Sequence, residues 1–139
     1  MNTLDTQEIR RRINDAMVAR LATVSSDCRP HVVPITFAAD DDGLYFAIDY
    51  KPKKTKDLQR LRNIEANPAV SVLIDHYEDD WTRLWWVRVD GNARILIDGA
   101  DFDRAMTLLI ARYPQYRSER PPGPVVAIAI ERMTGWSAS

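Results

Sequence analysis

A dense run of basic side chains interrupts a sequence whose formal net charge is only -1. Residues 51–62 contain six Lys and Arg side chains, namely Lys51, Lys53, Lys54, Lys56, Arg60 and Arg62. Because the rest of the chain does not share this excess, the run is typical of a site for one particular anion and not of a general surface for polyanions. The run therefore predicts a phosphate-binding site.

The second half of this run has the apolar periodicity of a helix, and Asn67-Pro68 is a stop signal, so we predict a helix over residues 56–66. At about 100° per residue, Lys56, Arg60 and Asn63 fall on one polar stripe, away from the apolar side of the helix. Lys53 and Lys54 lie just ahead of the helix, where free backbone N–H groups and the helix dipole attract anions, and which of Lys53, Lys54 and Lys56 faces the phosphate stays open. The alternative interpretation is an ordinary solvated helix face, which is where most lysines are found.

Other side chains offer little chemistry of their own. Cys28, His31 and His76 have no metal-ligand spacing, and no nucleophile motif is visible, so we predict neither a metal site nor a hydrolase site. This inventory fits a protein in which a bound cofactor supplies the reactivity.

Aromatic residues are concentrated in one short segment of the chain. Tyr77, Trp81, Trp85 and Trp86 can line a cofactor pocket, or they can belong to the core or to a subunit interface. Adjacent tryptophans on a strand face opposite sides, so at least one of Trp85 and Trp86 is expected outside the core. We therefore predict a homodimer that covers part of this cluster.

Short strands, turns and helices surround these side chains. We predict helices at residues 6–16, 56–66 and 101–113, a proline-rich surface loop at 114–124, and strands at 18–24, 31–37, 44–48, 70–74, 85–97 (with a bulge or turn at Gly91) and 125–130. About six strands on short turns, without a βαβ rhythm, predict a mainly β domain over residues 1–139. Its expected architecture is a small antiparallel barrel with about three flanking helices.

Composition and charge narrow the location and the partners. No apolar run approaches the roughly 20 residues that cross a bilayer, and the N-terminal segment has no signal-peptide pattern. With the single Cys28, these features favour a cytoplasmic protein that does not bind membranes. The near-neutral charge and the lack of aromatic residues among the bases disfavour a nucleic-acid partner.

Four segments, taken in order, resemble the split-barrel flavin and deazaflavin oxidoreductases related to pyridoxamine 5'-phosphate oxidase. They are residues 19–24 (ARLATV), residues 30–35 (PHVVPI), the basic stretch that ends in Asn67-Pro68, and residues 86–91 (WVRVDG). Each segment is short, and their order and spacing make the match specific. The resemblance implies an FMN-binding type of split barrel.

The resemblance also implies a set of site residues. In such proteins a Lys or Arg seven residues before the Asn-Pro position contacts the cofactor phosphate, and that position is Arg60 here. The cofactor-binding residues implied are Val33, Pro34, Ile35 and Thr36 along the ring, Lys54, Lys56, Arg60 and Asn63 near the phosphate, and Trp81 and Trp86 in the pocket.

The basic and aromatic residues together are most similar to the small actinobacterial branch that uses 8-hydroxy-5-deazaflavin, with FMN as the alternative cofactor. The paired motifs of true pyridoxamine phosphate oxidases are absent, so we do not predict that activity. The resemblance implies an oxidoreductase that passes hydride between the ring and a small organic substrate, with the cofactor at the interface of a homodimer. The alternative is a non-catalytic protein that stores or carries a flavin, a deazaflavin or haem, since both would need the same phosphate contact.

Overall fold

The computed structural model describes residues 2–48 and 58–139. The strands are β1 (Asn2–Thr3), β2 (Ala19–Val24), β3 (Pro30–Ile35), β4 (Ala38–Ala39), β5 (Gly43–Ala47), β6 (Ala69–His76), β7 (Trp85–Leu96) and β8 (Val125–Ser137). The helices are α1 (Thr6–Asp15), α2 (Gln59–Ala66), α3 (Ala100–Arg112) and α4 (Pro114–Ser118), with a 3-10 turn at Trp81–Arg83. None of the helices described here is long and apolar enough to span a bilayer.

Within these residues, all eight strands join one sheet in the order β3-β2-β6-β7-β8-β5-β4, with β1 paired to β8. Every pairing is antiparallel. The sheet curls around an apolar interior to which α1 contributes Ile9 and Ile13, and α2 contributes Ile64. This arrangement is the predicted mainly β split barrel with flanking helices.

A second apolar cluster lies on the other side of β5 and β8. Helix α3 packs its buried face, which includes Met106 and Leu109, against Tyr45, Val125 and Ala127 of these two strands. The first four residues of β8 are therefore buried on both faces, as their continuous apolar run predicts.

Local signals in the sequence explain the structure at two positions. Asp5 caps α1, since its Oδ1 accepts a hydrogen bond of 2.8 Å from the backbone N–H of Glu8. In β7 the pairing with β8 shifts between Asp90 and Gly91, which is the predicted bulge. A Cβ atom at Gly91 would lie 2.2 Å from the carbonyl oxygen of Ala129, so only glycine allows the strands this close.

Two sequence predictions about the C-terminal third are wrong. The segment predicted as a surface loop contains α4, which begins at Pro114 and buries Tyr116. Proline suits the first turn of a helix because its φ is preset and its missing N–H would have no partner there. Strand β8 does not end at residue 130 but continues to Ser137, because β7 and β1 both pair with its polar second half.

Candidate functional site

A surface groove of about 440 Å³ and a second of about 290 Å³ contain most of the described residues that sequence patterns single out. The smaller one, which we call the Arg60 groove, is lined by Val18, Pro34, Ile35, Thr36, Phe46, Ala47 and Arg60. It therefore unites the end of β3 with the basic helix α2. Four residues predicted for one site, Pro34, Ile35, Thr36 and Arg60, line this groove together.

Strand β3 forms one wall of the Arg60 groove. It is an edge strand of the sheet described here and pairs only with β2, in a register that places Arg20 opposite Pro34 and Ala19 opposite Ile35. An edge position tolerates Pro34, which has no N–H to donate to a neighbouring strand. Side chains alternate along β3 and just beyond it, so Pro34 and Thr36 are exposed while Ile35 is buried.

Val33 does not line the Arg60 groove. Its half-buried side chain packs against the main apolar core, as the alternation along β3 requires. Any contact of Val33 with a ring along this strand would involve its backbone.

Helix α2 is held against β2 by Asn63. Its side chain is only 1% exposed, and its Nδ2 donates a hydrogen bond of 2.9 Å to Thr23 Oγ1. Asn63 Oδ1 accepts a second bond, of 2.6 Å, from Gln59 Nε2. The sequence prediction that Asn63 shares an outward polar stripe with Arg60 is therefore wrong, because a buried partner on β2 draws the amide inward. Arg60 itself is half-buried and lines the groove.

Two lysines of the predicted phosphate site, Lys54 and Lys56, lie outside the described residues, as does the predicted start of the helix at residue 56. Arg60 is therefore the predicted phosphate contact whose place in the fold is known.

Two tyrosines at the junction of α3 and α4 are hydrogen-bonded to residues in or next to the Arg60 groove. The Tyr113 hydroxyl lies 3.0 Å from the backbone N of Phe37 and 2.9 Å from the carbonyl oxygens of both Phe37 and Met17. The Tyr116 hydroxyl lies 3.0 Å from Thr36 Oγ1. Sequence reasoning assigned neither residue to the site, because it placed Tyr113 at the end of the predicted helix 101–113 and Tyr116 in a surface loop.

Trp86 lies on a different part of the surface. It lines the larger groove, which we call the tryptophan groove, together with Leu73, Arg88, Trp136 and others. Three strand spacings separate β3 from β7, a distance of roughly 14 Å at about 4.8 Å per spacing. Trp81 is 67% exposed in the 3-10 turn. Within one chain, neither tryptophan lines the Arg60 groove.

The predicted division between Trp85 and Trp86 is confirmed. Trp85 packs against the core, where the Arg12 guanidinium lies 4.7 Å from its ring centroid and the His76 ring stacks at 6.2 Å. Next to this stack, a hydrogen bond from His76 and another from Arg83 hold the pKa of Glu78 below its ordinary value.

The curled antiparallel sheet, with helices around it and a groove at its edge strand, defines a split-barrel protein. Residues 5–137 match the family model described as pyridoxamine 5'-phosphate oxidase, and the chain belongs to this family. The resemblance inferred from four short segments is confirmed at this level. No curated protein sequence matches the chain.

Solved structures share the fold over nearly the whole chain. A FAD-binding protein from Mesorhizobium loti is 26% identical, with a TM-score of 0.74, and the match covers 96% of this chain and 95% of that one. A putative 5-nitroimidazole antibiotic resistance protein from Bacteroides thetaiotaomicron is 18% identical, with a TM-score of 0.76 and coverage of 96% and 86%. The haem storage protein of Vibrio cholerae is 19% identical, with a TM-score of 0.73 and coverage of 95% and 93%.

Proposed function

We propose that this chain is an oxidoreductase that binds 8-hydroxy-5-deazaflavin, or alternatively FMN, in the Arg60 groove. Hydride would pass between the ring and a small, reducible organic substrate. The observation that carries the proposal is the position of the Arg60 cation beside the Pro34–Thr36 segment, in a groove whose other described lining residues, apart from Thr36, are apolar. Family membership and the structure of a FAD-binding protein with the same fold support it.

Arg60 is suited to hold the phosphate. A guanidinium presents a planar set of donors that matches two phosphate oxygens at once. Because Arg60 is half-buried, its charge is screened less by water and salt than that of a fully exposed side chain. We propose that Lys54 and Lys56 share the phosphate.

The rest of the groove is suited to a planar ring. Val18, Ile35, Phe46 and Ala47 supply apolar walls, and Thr36 adds a hydroxyl that can fix the orientation of the ring. When bound, the ring system supplies the hydride chemistry, while the protein binds it, orients it and excludes water.

The size of the groove indicates that one chain encloses only part of such a cofactor. Its volume of about 290 Å³ lies at the lower limit of pockets that bury a drug-sized ligand, about 300–1,000 Å³. We propose that a second subunit completes the site.

The outer face of the sheet is the surface proposed for this contact. Pairing places Pro34, Arg20, Leu73 and Arg88 in one row across β3, β2, β6 and β7, so the face continues from the Arg60 groove to the tryptophan groove. Val32 on the same face is 64% exposed. Val32 and Leu73 are exposed apolar side chains of this face, and Arg20 and Arg88 lie on either side of Leu73. A two-fold partner could therefore bring Trp81 and Trp86 towards the ring.

Light scattering should give about twice the 15.9 kDa mass of one chain at micromolar concentration. Leu73→Arg should produce monomers, because it places a third cation beside Arg20 and Arg88 in the middle of the outer face. Ile97→Arg is a matched control, since Ile97 is more exposed than Leu73 but follows β7 at its far end. A mass of 15.9 kDa for the wild type would contradict the dimer.

The function itself is tested by titrating the purified protein with FMN and with the deazaflavin cofactor while ring fluorescence is followed. One of the two should bind with a Kd of about 1 μM or below, or about -8 kcal/mol. Binding of FMN alone would place the chain outside the deazaflavin branch. If neither bound, the proposed function would be wrong.

A non-catalytic carrier of flavin, deazaflavin or haem is the second candidate. The haem storage protein of Vibrio cholerae, whose fold is the same, favours it. Turnover distinguishes the two functions: an enzyme should accelerate oxidation of the bound reduced cofactor by quinones, nitro compounds or unsaturated carbonyl compounds. A carrier should bind the cofactor without accelerating any of these reactions.

A further inference from the structure

Among the described residues that line the Arg60 groove, Thr36 is the one whose side chain carries a hydroxyl. This hydroxyl is hydrogen-bonded to a residue that is not part of the described lining. Its Oγ1 lies 3.0 Å from the hydroxyl of Tyr116, a residue of α4 that is 8% exposed. The two residues are 80 positions apart in the sequence. A buried phenol that is not among the described lining residues of the groove therefore contacts the Thr36 hydroxyl.

The position of Tyr116 is well defined. Its ring meets that of Tyr113 edge to face, with centroids 5.6 Å apart. Tyr113 is in turn bonded to the backbone of Phe37, next to Thr36, and to the carbonyl oxygen of Met17, next to Val18. The same tyrosine pair thus holds two segments that form walls of the Arg60 groove.

Either hydroxyl of this pair can be the donor, and hydrogen-bond chemistry favours Tyr116. A phenol, with a pKa near 10, is far more acidic than an aliphatic alcohol, so it is the better donor. When Tyr116 donates to Thr36, the hydroxyl proton of Thr36 is available to donate into the groove. Flavin and deazaflavin rings carry carbonyl oxygens that can accept such a bond.

We propose that Tyr116 is a positioning residue: by donating to Thr36, it orients the Thr36 hydroxyl so that this hydroxyl donates a hydrogen bond to a ring acceptor. The inference rests on the proposed function, because it needs a ring in the Arg60 groove. Tyr116 does not touch the ring itself. Its effect should therefore disappear when the Thr36 hydroxyl is absent.

A double-mutant cycle tests this dependence. Wild type, Tyr116→Phe, Thr36→Val and the double variant are titrated with FMN and with the deazaflavin cofactor, and the absorption spectrum of the bound ring is recorded. Each single variant should bind about three- to tenfold more weakly, the range for one hydrogen bond, with the same spectral shift. The double variant should be no weaker than either single variant. Gln115→Ala, an exposed change on the same helix, should match the wild type.

The outcomes separate this inference from the proposed function. If the wild type binds neither cofactor, both are wrong. If it binds one and Tyr116→Phe binds that cofactor with unchanged affinity and spectrum, only the role of Tyr116 is wrong. Fully additive losses in the double variant would also overturn it, because Tyr116 would then act independently of Thr36.

Tyr116→Phe removes a hydrogen bond made by a buried residue. If this variant does not fold, a comparison of two variants of Thr36 tests the proposal instead. Thr36→Ser keeps the hydroxyl and should retain the wild-type spectrum, whereas Thr36→Val should shift it. Wild-type affinity and spectrum in Thr36→Val would overturn the proposal.

Discussion

Replacing Arg60 by alanine is expected to weaken cofactor binding by about 1.5–3 kcal/mol, or about 10- to 150-fold, the range for a hydrogen bond to a charged group. The reason is the position of Arg60, whose side chain lines the groove beside the strand proposed to hold the ring. The melting temperature of the free protein should change little, because Arg60 lies half-buried at the groove and is not a part of the apolar core. Fluorescence titration and calorimetry measure the two effects.

Two further variants show whether the loss belongs to the guanidinium of Arg60. Arg62→Ala removes an equal charge from the exposed side of the same helix and should cost little affinity. Arg60→Lys keeps the charge but loses the planar pair of donors, so its affinity should lie between those of the wild type and Arg60→Ala. Added salt should weaken the wild type more than Arg60→Ala.

Equal affinity of wild type and Arg60→Ala would show that the register counted back from Asn67-Pro68 is wrong, and Lys54 and Lys56 would become the leading phosphate contacts. A large drop in melting temperature would point instead to a structural Arg60, packed through its aliphatic stem.

Local patterns in the sequence were sufficient to predict most of the fold. Strands β2, β3, β5 and β6 follow from short β-branched runs between turn residues, and their observed bounds differ from the predicted ones by two residues or fewer at each end. The family resemblance implied a phosphate contact seven residues before Asn67-Pro68, and the residue at that position, Arg60, lines the same groove as the Pro34–Thr36 segment. Both signals are contained within a few residues of the chain.

The rest depended on contacts between distant parts of the chain. The polar residues Glu131–Arg132 carry no strand pattern, and they belong to β8 because β7 pairs alongside. Tyr116 supports Thr36 only because α4 brings it back to β3 after 80 residues. Trp86 and Arg60 looked like parts of one pocket in the sequence, but within a single chain they line different grooves.

Asn63 is the position where helical periodicity was most misleading. Its spacing from Arg60 placed it on an outward stripe, yet it lies next to the buried Ile64, at the boundary between the two sides of α2. The side to which a residue at this boundary points depends on where its hydrogen-bond partner lies. For Asn63 that partner is Thr23 on β2, whose buried hydroxyl requires a hydrogen bond. The contact also fixes α2, and with it Arg60, against the sheet.

Asn63→Leu should therefore lower stability by about 1–3 kcal/mol, because it leaves the Thr23 hydroxyl buried without its amide donor. For a domain of this size a loss of about 2 kcal/mol corresponds to a fall of roughly 5–10 °C in melting temperature. Thermal unfolding of the free protein measures it. Cofactor affinity, measured well below the transition, should change far less than in Arg60→Ala.

The double variant Asn63→Leu with Thr23→Val is the decisive control. It replaces both hydrogen-bonding partners by apolar side chains of similar shape, which can be nearly neutral where either single change is costly. Most of the lost stability should therefore return. If Asn63→Leu instead melted like the wild type but bound cofactor tenfold more weakly, Asn63 would be a direct ligand contact, as its spacing alone suggested. The contact with Thr23 would then contribute little to holding α2 in place.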